Sequence, residues 1–188
     1  MFHKRVSCSS AARRLGRRGY TLIEVLITVT ILGIAGAVVV PSMSGANVLK
    51  VQAAVRSIVA DITFAQMDAL GYQEPRGVVF DTDANQYTLI QITGADIDLD
   101  ADALYDPKGP DQRYVVNLNS ADFGGAVITD LDLNGGDTLI FDEIGGPVAA
   151  AGSDELSSGG SVTVSAPSGR FRIDIAPFTG RVTVVRLD

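Results

Sequence analysis

Cysteine and histidine each occur once in the 188 residues, as Cys8 and His3, and tryptophan is absent. Both single residues fall within the first nineteen positions. If that stretch is removed, the remaining chain has no disulfide, no thiol nucleophile, no histidine-based triad and no His/Cys zinc site. Acids are missing from the same stretch, where Lys4, Arg5, Arg13, Arg14, Arg17 and Arg18 are unopposed. With 15 basic and 22 acidic residues in all, nine basic residues then face 22 acids from Tyr20 onward, a net −13. A surface of that sign repels nucleic acid unless a basic patch is segregated on one face.

What is there begins with an apolar run. A secretory signal places its apolar segment ahead of the cleavage site. Here the order is reversed: the basic leader comes first and the run starts after Gly19. Tyr20 to Val40, 21 residues without a basic side chain, makes about 31 Å of helix against a hydrocarbon core of roughly 30 Å. Six basic residues before it predict a cytoplasmic N-terminus and an exported remainder. Hydropathy alone fits a plain single-pass anchor, but Glu24 does not. A carboxylate in a membrane helix costs a few kcal/mol even on mild insertion scales, so it usually meets a partner. Cleavage between Gly19 and Tyr20 sets a new α-amine one helical turn from Glu24. An ammonium on a neighbouring copy then has an acid to pair with.

The order of basic leader, Gly19, aromatic Tyr20, Thr21, Leu22, Ile23, Glu24 and apolar run resembles the class III signal of type IV pilins and type II secretion pseudopilins. Tyr20 stands where Phe is commoner. The resemblance implies that a prepilin peptidase removes residues 1–19 and N-methylates Tyr20. It implies further that Glu24 guides subunit docking and that the helix bends or partly melts at Pro41.

Beyond Pro41, Val48, Val51, Val55, Ile58, Ile62, Ala65 and Ala69 recur every three or four residues, which lays one apolar stripe along a helix. Lys50, Gln52, Arg56, Asp61, Gln66 and Asp68 fall largely off it. Gly71 and Pro75 mark its end. From Gly77 the period becomes two: "GVVFD" and "QYTLIQI" read as strands around the turn "TDAN". "RYVVNL", "AVITDL", "DTLIFD", "SVTVSA", "RFRIDI" and "RVTVVR" are further strands, while "ADIDLDADALYDPKGPD" and "GGPVAAAGSDELSSGG" read as exposed loops. Helix then strands, without alternation, predicts an α+β fold with a long N-terminal helix across antiparallel sheet. The expected divisions are a leader 1–19, a membrane helix 20–40, an amphipathic half 41–71 and a β-rich periplasmic head 72–188. Within the pilin superfamily the head resembles the GspH/FimT minor subunits, through "DITFAQMDAL", "PRGVVFD", "TLIFDEIGGP" and the closing hairpin "SGRFRIDIAPFTGRVTVV". Gln66 departs from that group, whose helices often carry a basic residue there.

Two acidic stretches invite calcium. Asp130, Asp132, Asn134 and Gly135 match the start of a calcium loop, but the twelfth position is Phe141, so the bidentate glutamate is missing. The same residues suit a strand, a Gly-Gly turn and a returning strand. Asp96, Asp98, Asp100, Asp102 and Asp106 alternate with apolar or small residues, and a solvated loop is the default for such a run. Some FimT-type pilins bind DNA through basic residues near the C-terminus. Arg170, Arg172, Arg181 and Arg186 lie on the expected last hairpin. Against the acidic background, pairing with Asp174, Asp188 or loop acids is favoured and DNA binding is not expected. No nucleophile and base can be nominated, so an enzyme is not expected either. The reading is a minor type II secretion pseudopilin in the inner membrane, assembled with other pseudopilins. The alternatives are a minor type IV pilin in pilus priming or DNA uptake and a membrane-anchored periplasmic binding module.

Overall fold

A computed structural model describes residues 19–187, with side chains over 19–36 and 48–187. Of the expected leader only Gly19 lies among the described residues. The chain forms two compact units whose boundary in the sequence falls between Ser42 and Met43. One helix, α1 (Leu22–Tyr72), contributes to both. Its backbone is helical at Pro41, where a bend is expected, and the Pro41 ring lies outside the described side chains.

In the second unit the periodic stripe becomes the buried face of α1. Val51, Val55, Ile58, Ile62, Ala65 and Ala69 are buried, Ala54 joins them, and Val48 is half-buried. Each valine or isoleucine so removed from water contributes about 1.5–3 kcal/mol. Asp61, read as off the stripe, is buried with it. After Tyr72, Gln73 takes a left-handed conformation (φ 55°) and the N–H of Glu74 returns to the carbonyl of Ala69 at 3.3 Å. Glu74 thereby satisfies an end-of-helix carbonyl in a Schellman arrangement, and Pro75 prevents continuation.

The strands form two antiparallel sheets rather than one. The first has the order β3 (Val115–Asn117), β2 (Gln86–Gln91), β1 (Arg76–Asp81), β5 (Thr138–Phe141), β6 (Pro147–Val148). The second has the order β4 (Val127–Leu133), β7 (Gly160–Ala166), β8 (Gly169–Ile175), β9 (Val182–Arg186). Alternation explains why both pack on α1. Val78, Phe80, Tyr87, Leu89, Leu139 and Phe141 of the first sheet share the main core with Val162, Val164, Phe171, Ile173 and Ile175 of the second. The opposite face of the first sheet holds a smaller core of Ile90, Ile92, Ile140 and Val148.

That second core corrects the loop assignments. "GGPVAAAGSDELSSGG" contains β6, and its Val148 and Ala151 cover the outer face of the sheet. The acidic loop likewise lays Ile97 on that face and buries Asp102. Single apolar residues among small or acidic neighbours carry no periodicity, so their burial was not legible. "DLDLNGGD" also differs from expectation. Asn134 (φ 54°) and Gly135 (φ 79°) do turn the chain, but β4 and β5 belong to different sheets, so the turn hands the chain from one to the other.

Candidate assembly site and head contacts

Thr21 caps α1. Its Oγ1 accepts the N–H of Glu24 at 3.3 Å, and the carbonyl of Thr21 accepts the N–H of Val25 at 3.2 Å. Thr21-x-x-Glu24 is the pattern of a capping box, with the acid in the first turn where the helix dipole favours negative charge. That signal is present in the sequence as Thr21 and Glu24 three residues apart. The Glu24 carboxylate makes no ion pair or hydrogen bond among the described residues, which leaves it available to another molecule.

Around it the helix is apolar on every side. Tyr20, Leu22, Ile23, Val25, Leu26, Ile27, Val29, Ile31, Leu32 and Ile34 are all at least 50% exposed. The two polar side chains that follow Glu24 are satisfied within the helix: Thr28 Oγ1 donates to the Val25 carbonyl at 2.8 Å and Thr30 Oγ1 to the Leu26 carbonyl at 2.7 Å. A helix whose threonines are satisfied internally and whose surface is otherwise apolar all round suits lipid or other helices, not water. Among the described residues no helix is long and apolar enough to cross a membrane. The expected span, Tyr20 to Val40, has described side chains only as far as Gly36.

In the head, two polar groups on α1 tie the layers together. Gln66 Nε2 donates to the carbonyls of Gly145 (2.7 Å) and Thr179 (2.9 Å), one in the loop after β5 and one in the β8–β9 turn. Gly180 (φ 63°) packs so closely that a Cβ there would lie 2.8 Å from Nε2. The amide at Gln66, where the resembling group often carries a basic residue, thus serves both carbonyls at once. Asp61 accepts from Tyr87 Oη (2.5 Å) and Tyr114 Oη (2.8 Å), and Ser57 Oγ lies 3.2 Å from Tyr87 Oη. Burial and then the Asp61 charge hold the Tyr87 hydroxyl well above its ordinary range. Burial and then the Asp61 hydrogen bond push Tyr114 up to about 12. This network buries a carboxylate by giving it two donors, as an interior acid requires. Arg76 is likewise enclosed, paired with Asp68 at 2.6 Å and Glu74 at 3.1 Å.

The calcium candidates do not converge. Asp130 and Asp132 are exposed on β4, and the Asn134 side chain is engaged with Ser157 and Ser158. Asp98 Oδ1 accepts the N–H of Asp100 at 3.0 Å, Asp100 pairs with Arg113, Asp106 accepts the Lys108 N–H at 2.9 Å, and Asp96 is exposed. Asp102 accepts from the Asp98 N–H and Thr93 Oγ1, both at 2.8 Å, and the first of these does most to hold its carboxyl below the usual range. Among the described residues no three acidic, histidine or cysteine side chains come together to hold a metal.

The four arginines do not form one face. Arg170 and Arg172 point outward from β8, and Arg172 pairs with Asp174 at 2.8 Å on its own strand rather than across strands. Arg186 lies over the Phe171 ring, 6.0 Å from its centroid, on the side facing α1. Arg181 is exposed at the start of the last hairpin's second strand.

Comparison with known proteins adds two findings. Residues 14–40 match the prokaryotic N-terminal methylation motif. No curated protein sequence matches this chain. Among solved structures, the minor pseudopilin EpsH from the Type 2 Secretion System of Vibrio cholerae is similar at a TM-score of 0.50 and 13% identity, over 73% of this chain and 97% of that one. A crystal structure of EpsH from the same system gives 0.47 and 14%, over 72% of this chain and 93% of that one. The chain therefore has an α+β pilin-like fold headed by a prepilin-type motif. The motif implies processing by a prepilin peptidase, a membrane-anchored N-terminal helix and assembly with other pilins.

Proposed function

We propose that this chain is a minor pseudopilin of a type II secretion system, a structural and non-enzymatic subunit of the inner-membrane pseudopilus. In this reading it is cleaved after Gly19, methylated on Tyr20 and anchored through residues 20–40 with the N-terminus cytoplasmic. Residues 41–71 continue the helix, with a bend at Pro41, and 72–188 form the periplasmic head. One observation carries the reading: the methylation motif heads a helix whose apolar side chains are exposed on all sides. The likeness of the head to EpsH supports the secretion subgroup.

Glu24 is the residue on which assembly turns. Its membrane cost is offset when it meets the α-amine of an adjacent subunit, a pairing that low dielectric strengthens. Glu24→Val leaves Gly19 and Tyr20 intact, so cleavage and insertion should continue. Cross-linking to other pseudopilins should fall, and protein secretion with it. Glu24→Gln keeps the size and polarity of the side chain and removes only its charge. It should fail as Val does. Wild-type cross-linking in both variants would refute the docking role, and loss of piliation or DNA uptake with secretion intact would move the subunit to a type IV pilus.

A further inference from the structure

The second sheet ends in two unlike edges. β4 is interrupted by a bulge between Ile128 and Asp130 and carries the exposed Asp130 and Asp132. Bulges and charges are how proteins blunt a sheet edge. β9 carries neither over Val182–Val185, and Val184 and Val185 remain 46% and 41% exposed. Its hydrogen-bond phase can be read from its two ends. The N–H of Leu187 donates to the Arg170 carbonyl, and the N–H of Ala176 donates to the Arg181 carbonyl. Antiparallel ladders alternate, so Arg181, Thr183, Val185 and Leu187 bond to β8, and Val182, Val184 and Arg186 turn their N–H and C=O outward. The side chains of these same three residues face α1.

Between this edge and α1 runs a groove of about 420 Å³, with Val55, Val59, Ala60, Phe171 and Val184 along it. Its charge is opposite to that of the chain. Arg56 lines it from the helix and makes no ion pair among the described residues, and Arg186, lying on the Phe171 ring, is likewise without an acid. In a protein of net charge −7, two unpaired guanidiniums beside an apolar floor and an open strand specify a partner of opposite sign.

We propose that β9 receives an extended segment of a partner protein as a fifth strand, with an apolar and an acidic side chain two positions apart, so that both face α1. Its backbone pairs with Val182, Val184 and Arg186. An apolar side chain enters between Val59, Phe171 and Val184, and a carboxylate reaches Arg56 or Arg186. This is recognition by strand addition, with affinity from the main chain and specificity from the groove. It concerns the head alone and stands whether or not Glu24 acts in assembly.

The test is amide exchange on the full chain in detergent micelles, titrated with a short capped peptide in which valine and glutamate take turns at every second position with threonine between them. The peptide should slow exchange at Val182, Val184 and Arg186 by about tenfold or more, and leave Thr183 and Val185, already bonded to β8, unchanged. Arg56→Glu should weaken binding roughly tenfold. Val184→Pro should abolish it while Thr183 and Val185 stay protected, because proline at an outward-facing edge position spares the β8 ladder. Equal binding of a peptide of the same composition with each glutamate directly beside a valine, which sends the two to opposite faces, would overturn the proposal. So would displacement of the peptide by duplex DNA, protection without the alternating pattern, or no binding at millimolar peptide.

Discussion

The same helix obeys opposite rules in its two halves. From Tyr20 to Ile34 every large apolar side chain is exposed, whereas from Val51 to Ala69 the apolar residues form one stripe and that stripe is buried. The second half is complete within this chain: it has a sheet on each side of its apolar face and partners for Asp61, Gln66 and Arg76. The first half satisfies only Thr21, Thr28 and Thr30 within itself. Its surface and its unpaired Glu24 require something this chain does not supply. The contrast separates a part made to fold from a part made to be joined.

The sharpest way to break the contrast is to place the same insult in each half. Ile58→Asp puts an unpaired charge at a fully buried position and should cost more than about 4 kcal/mol, enough to unfold the head. Ile27→Asp in the first half should leave the head's melting temperature unchanged. Thermal melts of the full chain in detergent compare the two.

A smaller effect comes from the amide that ties α1 to both sheets. Gln66→Ala leaves the Gly145 and Thr179 carbonyls without their donor and should cost about 1–3 kcal/mol in denaturant titrations. No counterpart exists in the first half, where Thr28→Ala and Thr30→Ala should be neutral to head stability.

How far these halves were legible follows from periodicity. The stripe, the helix end near Gly71 and eight of the strands stood out because burial repeats at a fixed interval. The processing motif stood out because Gly19, Tyr20 and Glu24 hold a fixed order, and the methylation motif covers them. What did not stand out depends on long-range partners. Asp61 lies on the buried side but is acidic, and only Tyr87 and Tyr114, 26 and 53 residues away, make that tolerable. Gln66 gave no sign of the two carbonyls it serves, and β6 is too short for a pattern. The division of strands between two sheets was hidden for the same reason, since β4 and β5 are adjacent in sequence and apart in the fold.

The smallest effect is a pH dependence confined to the head. Tyr114 is raised to about 12 in the folded state against an ordinary value near 10. Its contribution to stability is therefore full below pH 10 and is lost as pH rises from there toward 12. Melts across that window should show a decline that Tyr114→Phe reduces.

The central claim is that the first half exists to be processed and joined. Mass spectrometry of the N-terminus, on protein purified from membranes of cells with an active prepilin peptidase, tests it most directly. The account predicts a chain beginning at an N-methylated Tyr20. A chain that begins at an intact Met1 in those cells would contradict it.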